Sequence, residues 1–129
     1  MPRGPERQGA GRQAAERRGH HGEGLAALWL RLKGYRILAR RLRTRAGEID
    51  LVAAAPFGPV CFVEVKARNL ARTAAESVGP GQQTRIARAA SLYLASRPHL
   101  SRRGARFDII AIAPHALPVH HRDVWQSDF

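Results

Sequence analysis

Two apolar, β-branched segments, Gly47–Ala54 and Val60–Ala67, flank the turn formers Pro56, Phe57, Gly58 and Pro59, and each carries charge in its middle. Segments of this length and composition, separated by Pro and Gly, read as an antiparallel strand pair. Side chains alternate between the two faces of a strand. Glu48, Asp50 and Val52 are therefore expected on one face of the first strand and Ile49, Leu51 and Ala53 on the other. On the second strand Phe62, Glu64 and Lys66 share a face, opposite Cys61, Val63 and Val65. If the acidic faces align, Asp50, Glu64 and Lys66 converge among apolar neighbours. Charges in such a place are costly unless they are paired or bind a metal. There are two ways to meet that cost. Either Lys66 closes an internal salt-bridge network with Asp50 or Glu64, or the two acids bind a hard divalent cation, Mg²⁺ or Mn²⁺, through oxygen, with water filling the other positions. In the second case a metal-polarised phosphate is attacked by a bound water. Lys66 then positions that water or offsets charge in the transition state. The chain uses Arg for nearly all of its 22 basic residues, and Lys33 and Lys66 are its only lysines. A lysine can be tuned toward proton chemistry, whereas an arginine stays charged. Lys66 thus stands out, while Lys33, at the end of a helix before Gly34, is expected at the surface.

The remaining pattern gives the order of elements. Residues 1–21 hold almost no large apolar side chain and read as a disordered basic arm. A single domain is expected over 22–129, since 129 residues suffice for one modest core. Glu23 to Lys33 reads as a helix buried through Leu25, Leu28, Trp29 and Leu32 and stopped by Gly34. Tyr35 to Arg43 reads as a strand. After Gly79, Pro80 and Gly81, the set Ile86, Ala89, Ala90, Tyr93 and Leu94 marks a second helix, ended by Pro98, with Arg85 and Arg88 on its outer side. Phe107 to Ala113 reads as a buried strand, and the C-terminal residues beyond it support at most one short edge strand. The class is α/β, a mixed sheet flanked by helices in the order α-β-β-β-α-β.

The formal charge of +12 is spread along the chain and favours a polyanionic partner, although an Arg-rich solvated surface gives the same number. Arg41, Arg43 and Arg45 form the densest basic run, suited either to a nucleic-acid backbone or to a strand edge that resists aggregation. One cysteine, Cys61, excludes an intramolecular disulfide and a cysteine-rich zinc module, and it reads as a small core residue. The neighbouring pairs His20-His21 and His120-His121 point to opposite faces of an extended chain, so neither chelates a metal alone. With no long apolar run and no secretory signal, a cytoplasmic protein without a membrane span is expected.

Gly22-Glu23 opening a helix, Gly47-Glu48-Ile49-Asp50, Phe62-Val63-Glu64-Val65-Lys66-Ala67-Arg68 and Arg106-Phe107-Asp108 together resemble the bacterial YraN family. That family is predicted to share the restriction-endonuclease-like fold of archaeal Holliday-junction resolvases and other PD-(D/E)xK nucleases. The resemblance covers nearly all of residues 20–129, and four pieces fall in the right order. It implies that Asp50 and Glu64 are the metal-binding acids, Lys66 the catalytic lysine, and Glu23 the helix-borne acid of resolvase-type relatives. A carboxylate favourably placed at a helix N-terminus is the plainer account of Glu23. Glu48 is a candidate assistant or a partner for a neighbouring Arg. Where relatives often carry Thr-Pro-x-Lys-Gln, this chain has Gly79-Pro80-Gly81-Gln82-Gln83, so that Gln82 replaces a lysine and Gln83, a candidate assisting residue, survives. Phosphate contact there then falls to helix amides and Arg85; Arg68 joins Arg41, Arg43 and Arg45 as a candidate nucleic-acid contact. The implied activity is a Mg²⁺- or Mn²⁺-dependent endonuclease with no other cofactor, acting on DNA rather than RNA and on structured or branched forms, in a homodimer by analogy of fold. A non-enzymatic nucleic-acid-binding protein is the alternative. A protein-binding adaptor would require a large exposed apolar patch, which an aromatic content of 6% does not favour.

Overall fold

The computed structural model describes residues 22–68 and 72–127; the expected N-terminal arm over 1–21 lies outside the described residues. A helix over residues 22–32, α1, leads into β1 (Arg36–Thr44), β2 (Gly47–Ala54) and β3 (Val60–Ala67). A short 3₁₀ turn (Ala75–Ser77), α2 (Pro80–Ala95), a one-turn helix α3 (Pro98–Ser101), β4 (Ala105–Ile112) and β5 (Val119–Trp125) complete the order. The strands form one mixed five-stranded sheet, β1-β2-β3-β4-β5, in which only β3 and β4 run parallel. That parallel step needs a crossover, and α2 supplies it. The α/β class holds, with β5 and α3 added to the expected order. Pro98 does not end α2; it opens α3, where its missing N–H has no helical partner to lose.

Each face of the sheet buries its own cluster. Under α2 lie Ile49, Val52, Val60, Phe62, Phe107 and Ile109, joined by Ile86, Ala89, Ala90, Tyr93 and Leu94 of the helix, the five positions that its periodicity picks out. Under α1 lie Leu51, Ala53, Cys61, Val63 and Ile110 with Ala26, Ala27 and Leu30. This corrects the expected inner face of α1. Leu25, Leu28 and Leu32 are 46%, 52% and 72% exposed, and the helix is seated through Ala26, Ala27 and Leu30. Small alanines let the helix lie close to the sheet. The longer leucines, one step round, form an apolar stripe in contact with solvent among the described residues.

A second correction concerns β2. Ile49 belongs to the cluster under α2 and Leu51 to the cluster under α1, although residues two apart share a face on a regular strand. The strand turns over at Asp50. In its neighbour β1, Arg40 pairs with Leu51 and Leu42 with Ile49, and Arg41 between them has φ 52°; the register shift of this pair lies further along, between Ile37 and Ala39. The expected grouping of Glu48, Asp50 and Val52 on one face therefore fails at its outer end. Glu48 stands out from the sheet, 63% exposed in its side chain, and is ion-paired with Arg43 at 2.9 Å.

Candidate active site

The β2–β3 ladder runs only from Leu51↔Val63 to Ala54↔Val60. Beyond it, Asp50 Oδ2 accepts the Val65 N–H at 2.8 Å, taking a donor that a continued ladder would have bonded to backbone. The strands part at this point, and the gap between them holds the acids. Lys66 and Glu64 share the α2 face of β3, as alternation requires, and α2 lies over them through its first turn. Gln82 Nε2 donates to Glu64 Oε2 at 3.1 Å, and Lys66 Nζ donates to Gln82 Oε1 at 3.4 Å. One amide therefore ties the carboxylate to the ammonium. The pattern of residues gives no sign of Gln82 in this position. Gln83, the expected assistant, donates to the Val78 carbonyl at 2.9 Å and closes the loop before α2 instead.

The two carboxyls lie close enough for the charge of Asp50 to act on Glu64. Glu64 is buried, and its carboxyl is pushed up to about 8, first by desolvation and then by the charge of Asp50, against the pull of Lys66. Asp50 is raised as well, by burial and by the charges of Glu23 and Glu48, opposed by the Val65 N–H and by Lys66. Two carboxylates this near repel each other unless a proton or a cation offsets the charge. Neither acid is ion-paired with Lys66 among the described residues, so a closed salt bridge does not account for the cluster. No group of three or more His, Cys, Asp and Glu converges among the described residues, which argues against a closed zinc cage. Two carboxylates with open positions suit a hard ion that keeps part of its water shell.

Glu23 lies beside this pocket, close enough for its charge to act on Asp50. Its buried carboxylate is engaged by Arg40 Nε at 3.0 Å and approached by Arg41 Nε at 3.9 Å. Glu23 thus arrives already ion-paired, on the α1 side of the sheet. Of the candidate basic contacts, Arg41 sits against Glu23 and Arg43 against Glu48. Arg45 is exposed at the β1–β2 turn, Arg68 is exposed at the end of β3, and Arg85 is exposed on α2 beside Gly47. They stand on three different parts of the fold.

A second polar cluster lies on the α1 face, built around the Arg106-Phe107-Asp108 piece, for which the sequence pattern suggests no such role. Asp108 is fully buried and accepts from Arg106 Nε at 2.9 Å and Nη2 at 2.8 Å, from the Asp123 N–H at 2.9 Å, and lies 2.8 Å from His120 Nε2. Arg106 also donates to the Tyr35 hydroxyl at 2.7 Å, and Lys33 Nζ lies 2.6 Å from His120 Nδ1. Lys33, expected at the surface, is in fact the outer end of this chain of contacts. Burial alone would raise the Asp108 carboxyl, but bonds from His120, Arg106 and the Asp123 amide outweigh it and hold it down at about 2. The cluster ties β5 and the end of α1 to β4. Cys61, buried beside it, has its thiol pushed up to about 12 by burial and by Asp108, and is inert as a nucleophile. His120 faces this cluster whereas His121 lines a cavity on the α2 face, so the neighbouring histidines do point apart.

Comparison with known proteins places this geometry in a lineage. Residues 22–112 match the family described as Uncharacterised protein family UPF0102, also called the YraN family. A UPF0102 protein of Paramagnetospirillum magneticum is 53% identical over 120 residues, covering 90% of this chain and 92% of its own length. A second, of Mesorhizobium japonicum, is 52% identical over 115 residues, covering 89% and 91%. A third, of Agrobacterium fabrum, is 50% identical over 114 residues, covering 88% and 93%.

Proposed function

We propose that this chain, which belongs to the UPF0102 family, is a divalent-metal-dependent phosphodiesterase that cuts nucleic acid, with DNA the favoured substrate. The observation that carries the reading is the placing of Asp50 and Glu64 at the parting of β2 and β3, where Asp50 takes the Val65 N–H and Glu64 is tied to Lys66 through Gln82.

Asp50 and Glu64 would hold Mg²⁺ or Mn²⁺, which supplies Lewis acidity toward a phosphate oxygen and a more acidic bound water. The chain's own residues do the rest. The Val65 N–H fixes one Asp50 oxygen, and Gln82 fixes one Glu64 oxygen, which leaves the second oxygen of each free to ligate a cation. The ammonium of Lys66 is held at the rim by Gln82 and offers positive charge to a phosphoryl group that gains negative charge as it is attacked. Glu23, held by Arg40, adds negative potential near Asp50 without needing to be a ligand. The exposed arginines Arg45, Arg68 and Arg85 suit the flanking phosphates.

Binding without turnover has no use for a buried and a half-buried acid beside a polyanion, since they would repel phosphate unless a cation lay between. The deciding experiment incubates the protein with single-stranded, duplex and branched substrates in the presence of Mg²⁺ or Mn²⁺, beside Asp50→Asn. Cleavage by the wild type that requires the metal and disappears in the variant is expected. An uncut panel under every condition overturns the reading.

A further inference from the structure

Beside Lys66, on the α2 face of the sheet, a cavity of about 440 Å³ opens where α2 does not cover the outer strands. Two cross-strand rows make its floor. Lys66 pairs with Ala111 and Ala111 with Val119; one row deeper, Ile109 pairs with His121. Adjacent strands stand ~4.8 Å apart, so the floor runs from the amine of the candidate site roughly 10 Å toward the sheet edge. The floor is apolar at Ala111 and Val119, and the rim is basic or polar: Lys66, Arg68, Arg72 and His121. Among the described residues that line it none is acidic. An apolar floor joined to a cationic rim is complementary to a nucleotide, whose flat base is poorly hydrated on its faces and whose phosphate is an anion. The volume lies within the ~300–1,000 Å³ of small-molecule sites.

We propose that this cavity receives one unpaired nucleotide of the substrate strand, its base laid on Ala111 and Val119 and its phosphate turned to Arg68 and Arg72. The inference rests on the phosphodiesterase reading only for the identity of the neighbouring chemistry. It names the substrate class, a strand with unpaired nucleotides beside the cut, because a base within a duplex must first be unstacked and unpaired before it can enter.

The test separates the two readings. Thymidine 5′-monophosphate, uridine 5′-monophosphate and thymidine are titrated into the full chain without divalent metal and followed by nuclear magnetic resonance. Saturable shifts at Ala111, Val119 and His121 with the monophosphates, and at least tenfold weaker binding of thymidine, are expected. The ratio between the two monophosphates tells a DNA strand from an RNA strand. Ala111→Trp, which fills the floor, and Arg72→Glu, at an exposed position, should each weaken binding at least tenfold. If Ala111→Trp does not fold, Arg72→Glu decides. Absence of saturable shifts, shifts elsewhere on the surface, or full affinity in the folded variants overturns the proposal. With Mg²⁺, a substrate carrying a short unpaired overhang should be cut at least tenfold faster than the blunt duplex, and equal rates would also overturn it. Nucleotide binding by a protein that cuts nothing would support the cavity and count against the hydrolytic reading.

Discussion

Lys66 is the residue whose removal should be most informative. Its side chain is only half-buried and its hydrogen bond to Gln82 is long, so Lys66→Ala is expected to keep the fold. Cleavage should nevertheless fall by about 10²–10³-fold, the usual loss for a single group that stabilises charge in a transition state. Single-turnover rates at saturating metal, with circular dichroism to confirm folding, check this. Asp108 belongs to stability rather than to chemistry. Its folded carboxyl at about 2 lies below the ordinary value of 3.8, so the ionised form favours the folded state. That contribution, about 2 kcal/mol, is complete above about pH 4 and is lost as the pH falls toward 2. Urea unfolding followed from pH 5 to pH 2 should show this loss in the wild type. Asp108→Asn should flatten the slope and lower stability at neutral pH by about 3–5 kcal/mol, because Arg106 would remain without its counter-charge.

At the scale of the element, α1 shows how a helix can carry more apolar residues than it buries. Leu30→Ala removes a fully buried side chain and is expected to cost about 2–5 kcal/mol. Leu32→Glu, on the 72% exposed position of the outer stripe, should change stability by less than about 0.5 kcal/mol. Chemical denaturation of the two variants compares the faces directly. Periodicity alone could not choose between them: Leu25, Leu28, Trp29 and Leu32 form the stronger apolar stripe, and the helix sits instead on Ala26, Ala27 and Leu30 because the sheet leaves room only for small side chains along most of that line. The element β2 makes a similar point. Its bounds follow from composition, while the turnover at Asp50 falls opposite Arg41, with its positive φ, and where Asp50 takes the Val65 N–H.

For the whole molecule, the formal charge of +12 predicts nucleic-acid affinity that falls steeply with salt. A log–log plot of affinity against salt measures how many phosphates are engaged. Arg68→Ala, at an exposed position beside the site, should reduce the slope by about 0.9, the value of one duplex phosphate contact. A slope near zero for the wild type would mean that the basic surface serves something other than a polyanion. Among the described residues no helix is long and apolar enough to cross a membrane.

From its residues alone the chain determines its strands, the helix α2 with all five of its buried positions, the α/β class and the candidate trio Asp50, Glu64 and Lys66. All of these rest on local periods and turn chemistry, which are written in consecutive residues. The tertiary structure alone decides where β2 leaves β3, that Gln82 and not Gln83 reaches the acids, that Glu23 comes with Arg40, and that Lys33, His120, Asp108, Arg106 and Tyr35 join across 87 positions of chain. The reason is physical: a side chain's partner in a buried polar cluster is set by which strands lie next to each other, and that adjacency exists only once the sheet has closed around its two cores.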